Sequence, residues 1–152
     1  MKSLFLLTFA LAPAVLSAQS QECIIRNSTL NGAYVFTLTG TAGSPVWGAI
    51  TGPVATMGIY VFDGSGHFQS PAATVTIATA NPPLNVTPPV AGTGTYTVNR
   101  DCTGSLTLNF APAPDGHYNL VVSPDGRQIT MIATDKGDVI ISTATRLEFR
   151  SN

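Results

Sequence analysis

Charge is what this chain has least of. Lysine and arginine number 7, aspartate and glutamate 8, and together they make 10% of the 152 residues, against about 25% in an average soluble domain. With no basic excess, nothing is available to neutralise a phosphate backbone, which argues against nucleic acid as a partner. Cysteine is nearly absent too, with only Cys23 and Cys102 present. Neither lies in a CxxC pair or beside a histidine, so no metal site is expected. The GxSxG elbow, the P-loop and HExxH are all missing, so hydrolase and nucleotide readings drop out and no cofactor is implied. Past the first twenty residues no stretch sustains a helical period.

Threonine carries the polarity that lysine and glutamate usually supply. It is β-branched and favours strands, so the composition itself points to an all-β protein. The stretch GTGTYTVNRDCTGSLTLNF (92–110) reads as one complete hairpin. In it Tyr96, Val98, Leu106, Leu108 and Phe110 share an apolar face, and the threonines line the other. Further turns at 63–66, 111–116, 123–126 and 134–138 are rich in Asp, Gly and Pro. They separate strands expected over 32–39, 54–62, 67–80, 117–122, 128–133 and 139–146. With the two of the hairpin, the count is eight.

Eight strands joined by short turns pair in sequence, and the absence of charged edge strands is most simply explained by closure. The expected fold is an eight-stranded antiparallel up-and-down barrel, with a two-sheet β-sandwich as the alternative. Pro71 marks a bulge in the third strand. NPPLNVTPPVA (81–91), with four prolines, reads as a stiff unpaired connection, and 39–53, which holds Trp47, as a long loop.

At the N-terminus a single charge at Lys2 precedes an apolar run over 4–16 and then small residues. That order is expected of a secretory signal peptide over 1–18, and the run is too short to span about 30 Å of hydrocarbon. No membrane span is expected. An arm over 19–31 and a barrel domain over 32–152 follow. An oxidising compartment would let Cys23 and Cys102 bridge the arm to the central turn, contributing about 4 kcal/mol in the chain-entropy picture. Asn27-Ser28-Thr29 and Asn85-Val86-Thr87 are glycosylation sequons, and Asn27 is the better placed, since Pro88 follows the second. The oligomeric state is not legible.

LNGAYVFTLTG, GIYVFDGSGHF, GTGTYTVNRDCTGSLTLNF and the final strand after TDKGDV together resemble small exported proteins with an allene oxide cyclase barrel-like, calycin-type domain. The resemblance covers most of the chain after the leader and implies an eight-stranded barrel with an apolar cavity. Gly32-Ala33-Tyr34 is similar to the Gly-x-Trp that opens the first strand in calycins, with Tyr in place of Trp. Arg146 would then lie over the Tyr34 ring and close the barrel, a cation–π contact of about 1 kcal/mol.

Chemistry is thinly signalled. Asp63, Asp101, Asp115, Asp125, Asp135 and Asp138 fall in turns, where aspartate bonds its own backbone. His67 and His117 begin strands, with no nearby carboxylate or third ligand evident in the sequence. The aromatic set, with Phe36, Tyr60, Tyr96, Tyr118 and Met131 at its centre, either lines a cavity or fills a core. The leading expectation is a secreted barrel that binds a small apolar ligand in its interior. A cyclase or isomerase would add a buried polar group such as Asn119, Tyr118 or Glu148. A carbohydrate-binding or adhesive sandwich would display Trp47 in an exposed row.

Overall fold

The computed structural model describes residues 23, 25–43, 51–78, 84–110 and 114–148, with only the backbone of 84–90. The expected signal peptide and Trp47 lie outside the described residues. Eight strands are present: β1 (Asn31–Ala42), β2 (Gly52–Asp63), β3 (His67–Ile77), β4 (Leu84–Val98), β5 (Thr103–Asn109), β6 (Gly116–Val122), β7 (Gln128–Ala133) and β8 (Val139–Arg146). Each pairs antiparallel with the next, and β1 pairs β8 from Tyr34 opposite Arg146 to Thr41 opposite Val139. The sheet is a closed barrel in sequence order, and the sandwich alternative is overturned by that last ladder.

Strict alternation decides which side chains face in. In β6 the pattern is buried at Gly116, Tyr118, Leu120 and Val122 and exposed at His117, Asn119 and Val121. The other described strands repeat it, so the interior is a single apolar cluster. No described strand carries a lysine, arginine, aspartate or glutamate except at the end positions Asp63 and Arg146. The wall is therefore uncharged, and the charges form two rims.

Two expectations need correction: the long loop expected over 39–53 is shorter, since Thr39 to Ala42 extend β1 and pair with Ala55 to Gly52, and the proline-rich connection is not unpaired. The proline-rich segment is paired from Leu84 onward: Leu84, Asn85 and Val86 oppose Ile77, Thr76 and Val75, and Val90 opposes Ala73. Four steps on β4 thus match two on β3, and Pro88 and Pro89 fall within the excess, where the ladder needs no N–H from them. On β3 the register also slips around Ser70 and Pro71 against both neighbours, which is the bulge expected there.

The turns that open β3, β5 and β7 share one end of the barrel with the N-terminal arm. There Ile25 and Leu30 are buried, and Cys23 is bonded to Cys102, with 5.5 Å between their Cα atoms. Cys102 itself holds a left-handed backbone, φ 68°, a conformation that costs a side-chain-bearing residue about 1 kcal/mol or more. The links at the opposite end include 44–50, 79–83 and 111–113, outside the described residues.

Candidate functional site

Seen from within, the arm end of the barrel is solid. Phe36 and Tyr60 stack with ring centroids 3.9 Å apart. Gly58 makes this fit: a Cβ there would come 2.8 Å from the Phe36 ring. Phe62 meets Tyr34, Phe68 and Tyr96 at 5.2, 5.4 and 5.0 Å, separations at which aromatic pairs attract. The Tyr34 hydroxyl donates to the Gly126 carbonyl at 2.6 Å. The Tyr96 hydroxyl lies 3.0 Å from the carbonyls of both Asn27 and Leu30 and donates to the two as a shared bond. The arm is thus tied to the barrel by a phenol as well as by sulfur.

Deeper inside, two hydroxyls are buried without a partner among the described residues, and two phenols share the interior with them. Thr56 Oγ1 and Ser70 Oγ are fully buried and unbonded. The phenols of Tyr60 and Tyr118, 2% and 6% exposed, make no hydrogen bond among the described residues. Burial pushes the Tyr60 phenol far above its ordinary pKa, with Tyr118 adding to the shift. Tyr118 is raised chiefly by burial and further by Asp138 and Asp135. Both therefore remain neutral O–H groups at physiological pH. A buried hydroxyl left unbonded costs about 1–3 kcal/mol, so the two at Thr56 and Ser70 call for a bound group. Ser142 is the contrast, its hydroxyl donating to the Thr37 carbonyl at 2.9 Å.

The residues singled out from sequence fall into place unevenly. Phe36, Tyr60, Tyr96, Tyr118 and Met131 are all buried and inward, but Phe36, Tyr60 and Tyr96 belong to the packed aromatic cluster. Tyr34 and Arg146 are direct partners on the closing ladder. The Arg146 guanidinium lies over Gly32, 3.9 Å from where a Cβ would sit, and near enough to the Tyr34 phenol to oppose the upward shift that burial causes. The only ring contact of Tyr34 among the described residues is with Phe62. Asn27 is half-buried and accepts the Val98 N–H at 2.8 Å through Oδ1, so its amide serves the fold. Asn119 is exposed, and Glu148 is exposed and paired with Arg127.

Two features were missed. Each histidine does have a carboxylate: His67 Nδ1 lies 3.5 Å from Asp63 and His117 Nδ1 2.9 Å from Asp135. The first pair is visible as an i, i+4 spacing across a turn, whereas the second joins two separate turns. No three metal-ligating side chains come together among the described residues. The second feature is a cleft of about 620 Å³ on the outside of the wall, over β2, β3, β4 and β5. No helix among the described residues is long and apolar enough to cross a membrane.

No family model, curated protein or solved structure matches the chain.

Proposed function

We propose that the protein is an exported barrel that binds a small, largely apolar molecule carrying a hydrogen-bonding group, admitted from the end opposite the arm. The observation behind this reading is the pair of buried, unpartnered hydroxyls of Thr56 and Ser70, set among the inward side chains of Tyr60 and Tyr118. Apolar walls supply most of the affinity of such a site, and a few polar groups orient the ligand. The arm end is stoppered by its packed rings and the disulfide, so entry is proposed at the other end. The disulfide is compatible with an oxidising compartment, and the leader expected over 1–18 and the resemblance to calycin-type barrels support the same reading. Binding is favoured over isomerisation because no carboxylate or imidazole faces inward among the described residues, and phenols with raised pKa values are poor bases.

The test is titration of the disulfide-intact protein with the neutral fluorophore N-phenyl-1-naphthylamine, displaced by a long-chain alcohol. Saturable fluorescence is expected, with the alcohol weakened about tenfold by Ser70→Ala, the value of one buried hydrogen bond. A linear, unsaturable signal would mean that the hydroxyls hold only water and would end the proposal.

A further inference from the structure

We infer that the outer cleft is a second site, and that its ligand is a neutral saccharide. The wall beneath it has two glycines at inward positions of β4. A Cβ on Gly94 would sit 2.4 Å from the Phe68 ring and 2.1 Å from the Thr107 carbonyl oxygen, and one on Gly92 would sit 2.6 Å from the Phe110 ring. Only bare backbone approaches rings so closely. The rings pack directly on bare backbone there, and a cleft of about 620 Å³ lies over the same strands.

The floor of the cleft consists of hydrogen-bonding groups in two rows that follow the ladder. Gln69 opposes Thr93, and Thr93 opposes Asn109; one step along, His67 opposes Thr95, and Thr95 opposes Thr107. Strand spacing sets the repeat at about 4.8 Å, a pitch that successive sugar hydroxyls can bridge. Gln69, Thr93, Thr95 and Thr107 use none of their side-chain capacity among the described residues. The Asn109 amide donates to Asp115 at 2.6 Å; this holds a planar amide and a carboxylate side by side, each with an oxygen to spare. Val61, 41% exposed, adds an apolar spot for the C–H face of a ring.

Charge decides the ligand class. No lysine or arginine lines the cleft, while Asp63 and Asp115 do, so phosphates, sulfates and carboxylates are repelled. Asp63 is already committed: one carboxylate oxygen accepts the backbone N–H groups of Ser65, Gly66 and His67, and the other the Ser65 hydroxyl. It shapes the lip and is not available as an acid. An extended peptide has no strand to join, because every strand of the closed sheet has two neighbours. An uncharged polyol meets all these conditions.

The test is amide-resolved NMR of the labelled full-length protein with maltose, cellobiose and lactose at millimolar concentrations. Saturable shifts are expected at Gln69, Thr93, Thr95, Thr107 and Asn109 with at least one sugar. Gln69→Ala and Asn109→Ala should each weaken binding about tenfold, while Asn119→Ala, outside the cleft, leaves it unchanged. These side chains are on the surface, and identical thermal melts will confirm that the variants fold. Absence of saturable shifts with all three sugars, or shifts that survive both cleft variants with unchanged affinity, would overturn the inference. Neither result bears on the interior site, which N-phenyl-1-naphthylamine reports separately.

Discussion

Tyr34 and Tyr96, at the arm end of the barrel, each donate to a carbonyl of another segment; Tyr60 and Tyr118, deeper inside, donate to nothing among the described residues. The same side chain thus serves opposite purposes within one interior. At the arm end, ring contacts, two phenol bonds and the disulfide leave nothing unmet. Among the described residues charges there are balanced, with Arg26, Arg100, Arg127 and Arg146 against Asp63, Asp101, Asp125 and Glu148. At the other rim Asp115, Asp135 and Asp138 face a single Lys136. One end has been optimised for stability. The polar groups left over elsewhere are the ones to examine for function, since selection tolerates an unmet hydroxyl mainly where something else meets it.

The disulfide should dominate if the arm end is the stable one. Cys23→Ser with Cys102→Ser removes a link between residues 79 apart and should cost about 4 kcal/mol in denaturant melts. A loss below about 1 kcal/mol would show that the arm is held by Tyr96 and its own packing instead. Next comes a matched pair of substitutions. Tyr96→Phe removes the phenol bonds to the Asn27 and Leu30 carbonyls, leaving the Asn27 carbonyl only the Leu30 N–H, and should cost about 1–2 kcal/mol. Thr56→Val removes a hydroxyl that bonds nothing and should be neutral or stabilising by up to about 1 kcal/mol. If the two cost the same, the contrast between the regions fails.

Solution pH gives the finest discrimination. All four tyrosines have pKa values raised mainly by burial, so above pH ~10 the folded chain keeps protons that the unfolded chain gives up. Stability is therefore complete below that pH and falls as pH rises through the folded values. Absorbance at 295 nm should show phenolate appearing only together with unfolding. On the acid side Asp63, Asp101 and Asp125 are held below the usual carboxylate range, chiefly by side-chain hydrogen bonds from Ser65, Thr103 and Ser123. Their contribution is present above pH ~4 and lost as pH falls through the folded values. Being fully exposed, they should move the melting temperature least, and a large acid transition near pH 4 would point to groups elsewhere.

Strand count, order and closure were legible because Asp-Gly turns and inward–outward alternation are local signals. The start of β4 was not, since its prolines look prohibitive until two of them are seen inside a bulge. Thr56 and Ser70 sit at inward positions and their place could be read from parity, but whether a hydroxyl finds a partner depends on a strand far away in sequence. The cleft is less legible still: Gly92 and Gly94 look like ordinary turn formers until Phe68 and Phe110 are placed against them.

The uncharged wall has a consequence for how this chain can fail. Val121, Ile132, Val139 and Ile141 are each more than half exposed on neighbouring strands, without a single lysine or proline gatekeeper among them. While the β1–β8 ladder holds, no backbone is on offer and the exposed aliphatics do little harm. Should β8 peel away, it would bare two sticky strands that template one another, and fibrils rather than a soluble open form should result.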